Sequence, residues 1–352
     1  VRGQPARRVW RRVHHENRTD FAAVKGLREE HRRALEARAV FPDLEIVERR
    51  RAADGFVKYL FRTPDGHPVE AVRIPLPDPA AARELKERRR RGEVTGLQPL
   101  PSAKYTLCVS AQAGCALGCA FCATGRLGFA RDLATWEILA QHRLVAAESD
   151  RPVRGVVFMG MGEPLLNYDN VLRAATALTR PAGAAIAAKS ITISTAGVAP
   201  AVRRFTAEGR RFRLIVSLAS PFPEERARLM PIERRWPLAE VMAAVREHAA
   251  AIDDLVTLAY VAVGGVNLSA RHAQGLVALL AGLRAKIDLI DVNDESGAFP
   301  RPADAEIAAF RTSLLSAGVP VVRRYSGGVE IGAACGTLAA ARRGGEVLGA
   351  AR

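Results

Sequence analysis

Over its second two-thirds the chain repeats one pattern: a short apolar run of strand length, then a stretch in which apolar residues recur at helical spacing. The strand-like runs 105–110, 155–160, 190–194, 212–217, 255–263 and 286–292 precede helix-like stretches 132–148, 167–178, 198–207, 237–251, 270–284 and 303–316. Such β-then-α units demand a parallel sheet with right-handed crossovers. A partial (β/α)6 barrel and an open doubly wound sheet both satisfy the pattern, and in either one ligands gather at the carboxyl ends of the strands.

The first third reads differently. Ala6, Val9, Trp10 and Val13 stand at helical spacing, and Thr19-Asp20 reads as a cap for a second helix over 21–35. Runs 44–51, 55–63 and 69–74 alternate apolar and polar residues around the turn Pro64-Asp65-Gly66, which describes a small β-hairpin. Residues 1–77 are therefore expected to form an accessory domain of helices plus hairpin, a candidate RNA-binding unit. Residues 78–104 form a basic linker or insert, and 105–352 the α/β core. Within the insert, the charge run at 83–91 reads as a solvated helix or as an arm for nucleic-acid phosphates.

The chain has 352 residues and 49% hydrophobic content, which excludes disordered and fibrous classes. Lys plus Arg number 52 against 37 acids, a net charge of +15, and nearly all the basic residues are Arg. Guanidinium forks suit phosphates and bases, so nucleic acid is the favoured partner, with GC-rich coding bias as the bland explanation. No apolar run is long enough for a membrane span, the Arg-rich start lacks a secretory core, and a cytoplasmic, monomeric protein is expected.

Five cysteines is an odd count for a chain too long to need disulfide staples. Cys115-Ala-Leu-Gly-Cys119-Ala-Phe-Cys122 follows the first strand of the core as C-x3-C-x2-C. Three thiolates on one loop can hold three irons of a [4Fe-4S] cluster and leave the fourth open to an exogenous ligand. A zinc site would want a fourth Cys or His at finger spacing, and the nearest downstream His is His142. With Phe121 inside it, the motif resembles that of the radical S-adenosylmethionine (SAM) superfamily, which implies a partial TIM-like barrel and a cluster that chelates SAM. Gly160-Met-Gly162-Glu163-Pro164 ends the second strand, where that superfamily binds the SAM amino group. A dinucleotide fingerprint fails there because Leu165 replaces its third glycine.

Cys108 and Cys335 remain, and a buried structural cysteine is the ordinary explanation for each. Cys335 lies in the small-residue segment Gly332-Ala-Ala-Cys335-Gly336. With these residues, 58–61, 69–75, Ile193-Ser194-Thr195-Ala196-Gly197 and Leu229-Met230-Pro231-Ile232, nearly the whole chain resembles the radical SAM RNA methyltransferases of RlmN/Cfr type. That family methylates adenosine in 23S rRNA and, for RlmN, in tRNA. Carbon 2 of adenine is too electron-poor to attack SAM by a polar route.

The resemblance implies that Cys335 takes a methyl from a first SAM and loses a hydrogen from it to a radical made from a second. The resulting methylene radical adds to adenine, Cys108 assists release, and a Cys108–Cys335 disulfide closes the cycle. A thiol suits these steps because its thiolate is nucleophilic and its sulfur stabilises an adjacent radical. A flavodoxin or ferredoxin would supply the electrons. Glu70 aligns with the proposed general base, its bland alternative being a surface carboxylate. Gly162, Glu163, Ser194, Ser217 and Asn293 align with positions that contact SAM.

The family pattern breaks at Ala219, Ala259, Leu268 and Asp291, and the acids Asp291, Asp294 and Glu295 stand where an RNA backbone would be repelled. Two alternatives follow: the same chemistry at adenosine carbon 8 or on a small molecule or peptide, and a degenerate RNA-binding protein, against which all five cysteines argue.

Overall fold

The computed structural model describes residues 3–14, 21–22, 24–39, 42–91, 93, 102–294, 296–324, 326–338, 342–343 and 346–347. Helices α1 (Gln4–His14) and α2 (Glu29–Arg38) come first, then strands β1 (Glu45–Arg51), β2 (Val57–Arg62) and β3 (Pro68–Pro77) and helix α3 (Pro79–Arg90). The second helix starts later than the pattern over 21–35 predicts. Phe21 and Val24 bury their side chains from turns, and the backbone at Arg28 is still extended. The expected cap at Thr19-Asp20 lies outside the described residues. The 83–91 run belongs to α3, where Leu85 is buried.

The core begins with β4 (Ser102–Cys108), followed by a short pair, β5 (Gln112–Gly114) and β6 (Phe129–Asp132), which flanks helix α4 (Ala123–Leu127). Helix α5 (Thr135–Ala147) then leads to β7 (Val153–Phe158), α6 (Tyr168–Leu178), β8 (Ile191–Thr195), α7 (Ala199–Ala207) and β9 (Arg213–Leu218). A short helix, α8 (Pro223–Leu229), precedes α9 (Leu238–Ala251), β10 (Val256–Ala262), α10 (Ala270–Leu279), β11 (Ala285–Asp291), α11 (Asp304–Ser316) and β12 (Val321–Arg324). All six predicted units are present. The β5–β6 pair and β12, a seventh parallel strand, are additional; their short runs carry too little periodicity to stand out from loop.

One sheet runs β1-β2-β3-β4-β7-β8-β9-β10-β11-β12, parallel from β4 to β12 and antiparallel from β1 to β4. The predicted hairpin is thus a three-stranded meander that continues the core sheet, with Val72 opposite Cys108. Side chains from the ends of β7, β8, β9, β10 and β11 line a single cavity. Four strand spacings of a flat sheet would separate β7 from β11 by about 19 Å, so the sheet must curl around that cavity. This is the mostly parallel, barrel-like fold expected from the sequence. Among the described residues no helix is long and apolar enough to cross a membrane.

The chain bends tightly after β10, and Asn267 holds it there. Its buried amide donates to the carbonyls of Ala219 and Val261, both at 2.7 Å, and accepts from the Val263 N–H at 2.8 Å. Asn267→Ala leaves three buried backbone groups unpaired and should destabilise the fold by about 2–4 kcal/mol. The check is the urea midpoint, which should fall with the slope unchanged.

Candidate active site

The cavity has about 1000 Å³ of empty space, counting its open mouth, and lies at the carboxyl ends of the parallel strands. Cys115, Cys119 and Cys122 form one side of it. Their loop is pinned from several directions: Cys115 N–H donates to Gly128 carbonyl at 2.7 Å, Ala120 N–H to Leu229 carbonyl at 3.0 Å, and Cys122 N–H to Cys119 carbonyl at 3.0 Å. Burial pushes the Cys115 thiol up to about 12 and that of Cys119 further. Thiols so placed resist ionisation unless positive charge compensates them, which is what metal coordination supplies. Among the described residues no three such side chains converge on a point suited to one bare ion. The three thiols border one open space.

Gly160 and Gly162 carry the β7 end into this space by close backbone approach. A Cβ at Gly160 would stand 2.6 Å from the Val109 carbonyl oxygen, and one at Gly162 2.4 Å from Gln112 Cβ, at a φ of +94°. Glu163 then turns inward and is buried. Its carboxylate accepts from Ala196 N–H at 2.7 Å and Leu165 N–H at 2.9 Å, while its own N–H donates to Gln112 Oε1 at 2.8 Å. Burial raises its pKa to about 7 against the pull of those two amides. Glu163 therefore braces the β7 end against the β8 end besides lining the cavity. Ser194 and Ser217 face one another across β8 and β9, with hydroxyls 3.5 Å apart, and Asn293 closes the wall beyond β11.

Cys335 lines the same cavity and is exposed to it. Protein packed closely around that opening pushes its thiol up, and a hydrogen bond with Ser326 pulls the other way. The Ser326 hydroxyl also accepts from Cys335 N–H at 3.0 Å and from Asn293 Nδ2 at 3.3 Å. Cys108 ends β4 below this segment, buried with Val72, Met161, Ala333 and Leu338. Its thiol is driven upward by burial and by the neighbouring Cys335. Both cysteines are free thiols in this structure.

Sequence similarity now has a site to attach to. The Radical SAM superfamily model matches residues 109–273. A probable RNA methyltransferase of Myxococcus xanthus is 51% identical over 89% of this chain and 81% of its own length. A dual-specificity RNA methyltransferase RlmN of Syntrophobacter fumaroxidans is 39% identical over 95% and 91%. The chain belongs to the RlmN-type radical SAM RNA methyltransferases. A radical SAM methyltransferase from Sphaerobacter thermophilus superposes with a TM-score of 0.81 at 35% identity, over 94% of this chain and 92% of that one. Membership in this methyltransferase family implies a [4Fe-4S] cluster and SAM, and the three-thiol loop, with Glu163, Ser194, Ser217 and Asn293 beside it, fits both.

Some residues of this methyltransferase sit otherwise than the sequence suggests. Glu70 is not a surface carboxylate: it is fully buried, 2.9 Å from the ammonium of buried Lys58, which lies too far off axis to satisfy the carboxylate's oxygens as a hydrogen bond would. The acids at the mouth are not bare either. Asp291 is buried between Arg323 at 2.6 Å and Arg301 at 3.3 Å, and Asp294 pairs with Arg126 at 3.0 Å. Glu295 lies outside the described residues. The repulsion of RNA expected from Asp291 and Asp294 is thus neutralised locally.

Of the departures, Ala259 and Asp291 line the cavity, whereas Ala219 and Leu268 are buried away from it. Sequence reasoning missed Lys58, Ser326 and Arg226. Arg226 is fully buried, pairs with Glu233 and donates to Ala196 carbonyl at 2.8 Å, fixing the wall beside Met230. For Lys58 a signal existed: one cation inside Val57-Lys58-Tyr59-Leu60-Phe61, a run buried on both faces. Ser326, in Ser-Gly-Gly, carries none.

Gly162→Ala should lower stability by about 3 kcal/mol through steric overlap added to backbone strain. Gly66→Ala, at a similar φ of +88° with nothing within 4 Å, should lose only about 1 kcal/mol. Paired denaturation curves and the visible absorbance of the cluster check this: Gly162→Ala should lose both stability and cluster, and Gly66→Ala keep the cluster.

Proposed function

We propose that the chain methylates carbon 2 of an adenosine in RNA, with 23S rRNA and tRNA as substrates and Cys335 as the methyl carrier. The observation that carries this reading is the opening of Cys335 into the cavity bordered by Cys115, Cys119 and Cys122, with Cys108 packed directly beneath its segment. In this reading the three cysteines of the loop hold the [4Fe-4S] cluster. Gly162, Glu163, Ser194, Ser217 and Asn293 hold SAM, two molecules being used per turnover, and a flavodoxin or ferredoxin delivers electrons. When bound, the cluster and SAM supply the methyl group and the one-electron chemistry that an electron-poor aromatic carbon requires.

The chain's own residues do the rest. Cys335 acts as a thiolate nucleophile toward the methyl group, and its hydrogen bond with Ser326 offsets part of the burial that opposes ionisation. Ser326 is itself held by Asn293, so a wall residue of the SAM side also orients the carrier. Glu70 serves as the base that takes the proton from carbon 2; it lies behind the cavity lining, ion-paired with Lys58 at 2.9 Å, so it comes within reach of the substrate only when the overlying Cys335 segment shifts. Cys108 attacks the carrier sulfur, so that a Cys108–Cys335 disulfide forms as the carbon–sulfur bond breaks and the released methylene carbon takes up a proton to become the methyl group. Cys108 lies on the same sheet face as Glu70, since Val72, two residues beyond Glu70, is opposite Cys108. The Arg-rich surface, with a net charge of +15, supports a polyanionic substrate, and the pairing of Asp291 and Asp294 removes the objection at the mouth.

The test is anaerobic reconstitution with SAM and a reductant on unmodified 23S rRNA and tRNA, followed by digestion and mass spectrometry. The expected product is 2-methyladenosine. An 8-methyladenosine product moves the assignment to the other carbon, and SAM cleavage without any methyladenosine refutes an RNA substrate. Cys335→Ala should abolish both RNA methylation and the mass increment of one methyl on the protein, while Cys108→Ala should retain that increment and lose product release.

A further inference from the structure

The segment that carries Cys335 is held from the far end of the sheet. Gly328 N–H donates to Asp54 Oδ2 at 2.9 Å, Ala53 N–H donates to Glu330 Oε1 at 2.7 Å, and Lys58 Nζ donates to Gly332 carbonyl at 3.0 Å. Phe56 packs beneath Gly328 so closely that a Cβ there would stand 3.0 Å from Phe56 Cβ. All four contacts come from the β1–β2 turn and the first residues of β2. On its other side the segment is tied to the cluster loop, by Ala123 N–H to Gly336 carbonyl at 2.8 Å and Thr124 Oγ1 to Leu338 carbonyl at 2.6 Å.

We propose that the β1–β2 turn, through Asp54 and the Ala53–Glu330 contact, is a clamp that positions the methyl-carrier segment over the cavity, with Lys58 coupling the seated segment to Glu70. The relevance of this clamp to catalysis rests on Cys335 being the methyl carrier. Asp54, Lys58 and Glu330 are positioning residues, since none of them lines the cavity. The contacts suit a segment that must be both held and released. They are few, they lie toward the surface at Asp54 and Glu330, and each contributes on the scale of one hydrogen bond, so a local opening needs no disruption of the sheet. Lys58 gives the clamp a second function: its ammonium meets the Gly332 carbonyl and the Glu70 carboxylate together, so lifting the segment removes one partner of the charge that neutralises Glu70.

The experiment compares the cluster-loaded wild type with an Asp54→Ala, Glu330→Ala double variant and an Asp54→Asn, Glu330→Gln double variant, whose amide oxygens still accept from Gly328 and Ala53 and give up only the 3.3 Å contact of Asp54 with Phe56 N–H. Two quantities are read: amide hydrogen exchange of the 326–338 peptide against that of β8, and the rate at which iodoacetamide labels Cys335. In the alanine variant both exchange of 326–338 and labelling should rise about tenfold with β8 unchanged, as for loss of two hydrogen bonds from a local opening equilibrium. The amide variant should stay within about twofold of wild type on the same scale. Unchanged rates in the alanine variant, a rise in β8 exchange in step with 326–338, or an amide variant as open as the alanine one would each overturn the clamp. Methylation of Cys335 by SAM is scored separately, so failure of the carrier role and failure of the clamp are distinguishable.

Discussion

Close backbone contact at Gly160 and Gly162 is the constraint on which the site depends. Side chains at these positions would hold the β7 end away from Val109 and Gln112, and the loop bearing Cys115, Cys119 and Cys122 starts from that stretch of chain. With the two backbones in contact, Gln112 accepts from Glu163, and Glu163 in turn accepts from Ala196 at the end of β8. Three successive parallel strands are thereby locked at their carboxyl ends, where chemistry in this fold takes place. The glycine pair that superficially suggests phosphate binding serves instead to let protein meet protein.

Charge within the protein follows a second rule: ions drawn below the surface are given partners. Asp294, Glu70 and Arg226 each have one, and Asp291 has two. An unpaired buried ion would be expelled or neutralised, so pairing lets the chain bring formal charge close to a cavity without projecting it outward. The net positive charge of the chain is consequently carried by surface arginines, while the cavity wall consists largely of small, apolar and hydroxyl side chains.

Much of this was legible in the sequence. Alternating runs gave the parallel core because strands buried on both faces read as continuous apolar stretches, and the spacing of the three cysteines gave the loop. What escaped detection lacks local periodicity or depends on contacts between distant segments. β12 and the β5–β6 pair are too short to show a pattern. That the hairpin would join the core sheet depends on the pairing of β3 with β4, across an intervening helix. A surface carboxylate stays open as an alternative for Glu70 because alternation along one strand cannot reveal what covers its polar face; here Lys58 covers it and is bonded in turn to Gly332 in the Cys335 segment. Asp291 and Asp294 were read as bare charge because their arginines lie elsewhere in the sequence.

The distance along the chain between the Cys335 segment and the residues that hold it bears on how the molecule is made. Lys58 and Gly332 are separated by 274 residues, and closing so long a loop is entropically demanding and late in folding. During synthesis from the amino end, the cysteine loop is complete long before residues 326–338 leave the ribosome. Over that interval Ala123 N–H and Thr124 Oγ1 lack the Gly336 and Leu338 carbonyls to which they later donate. The order of synthesis thus exposes the thiol loop before the later-made Cys335 segment can close over it.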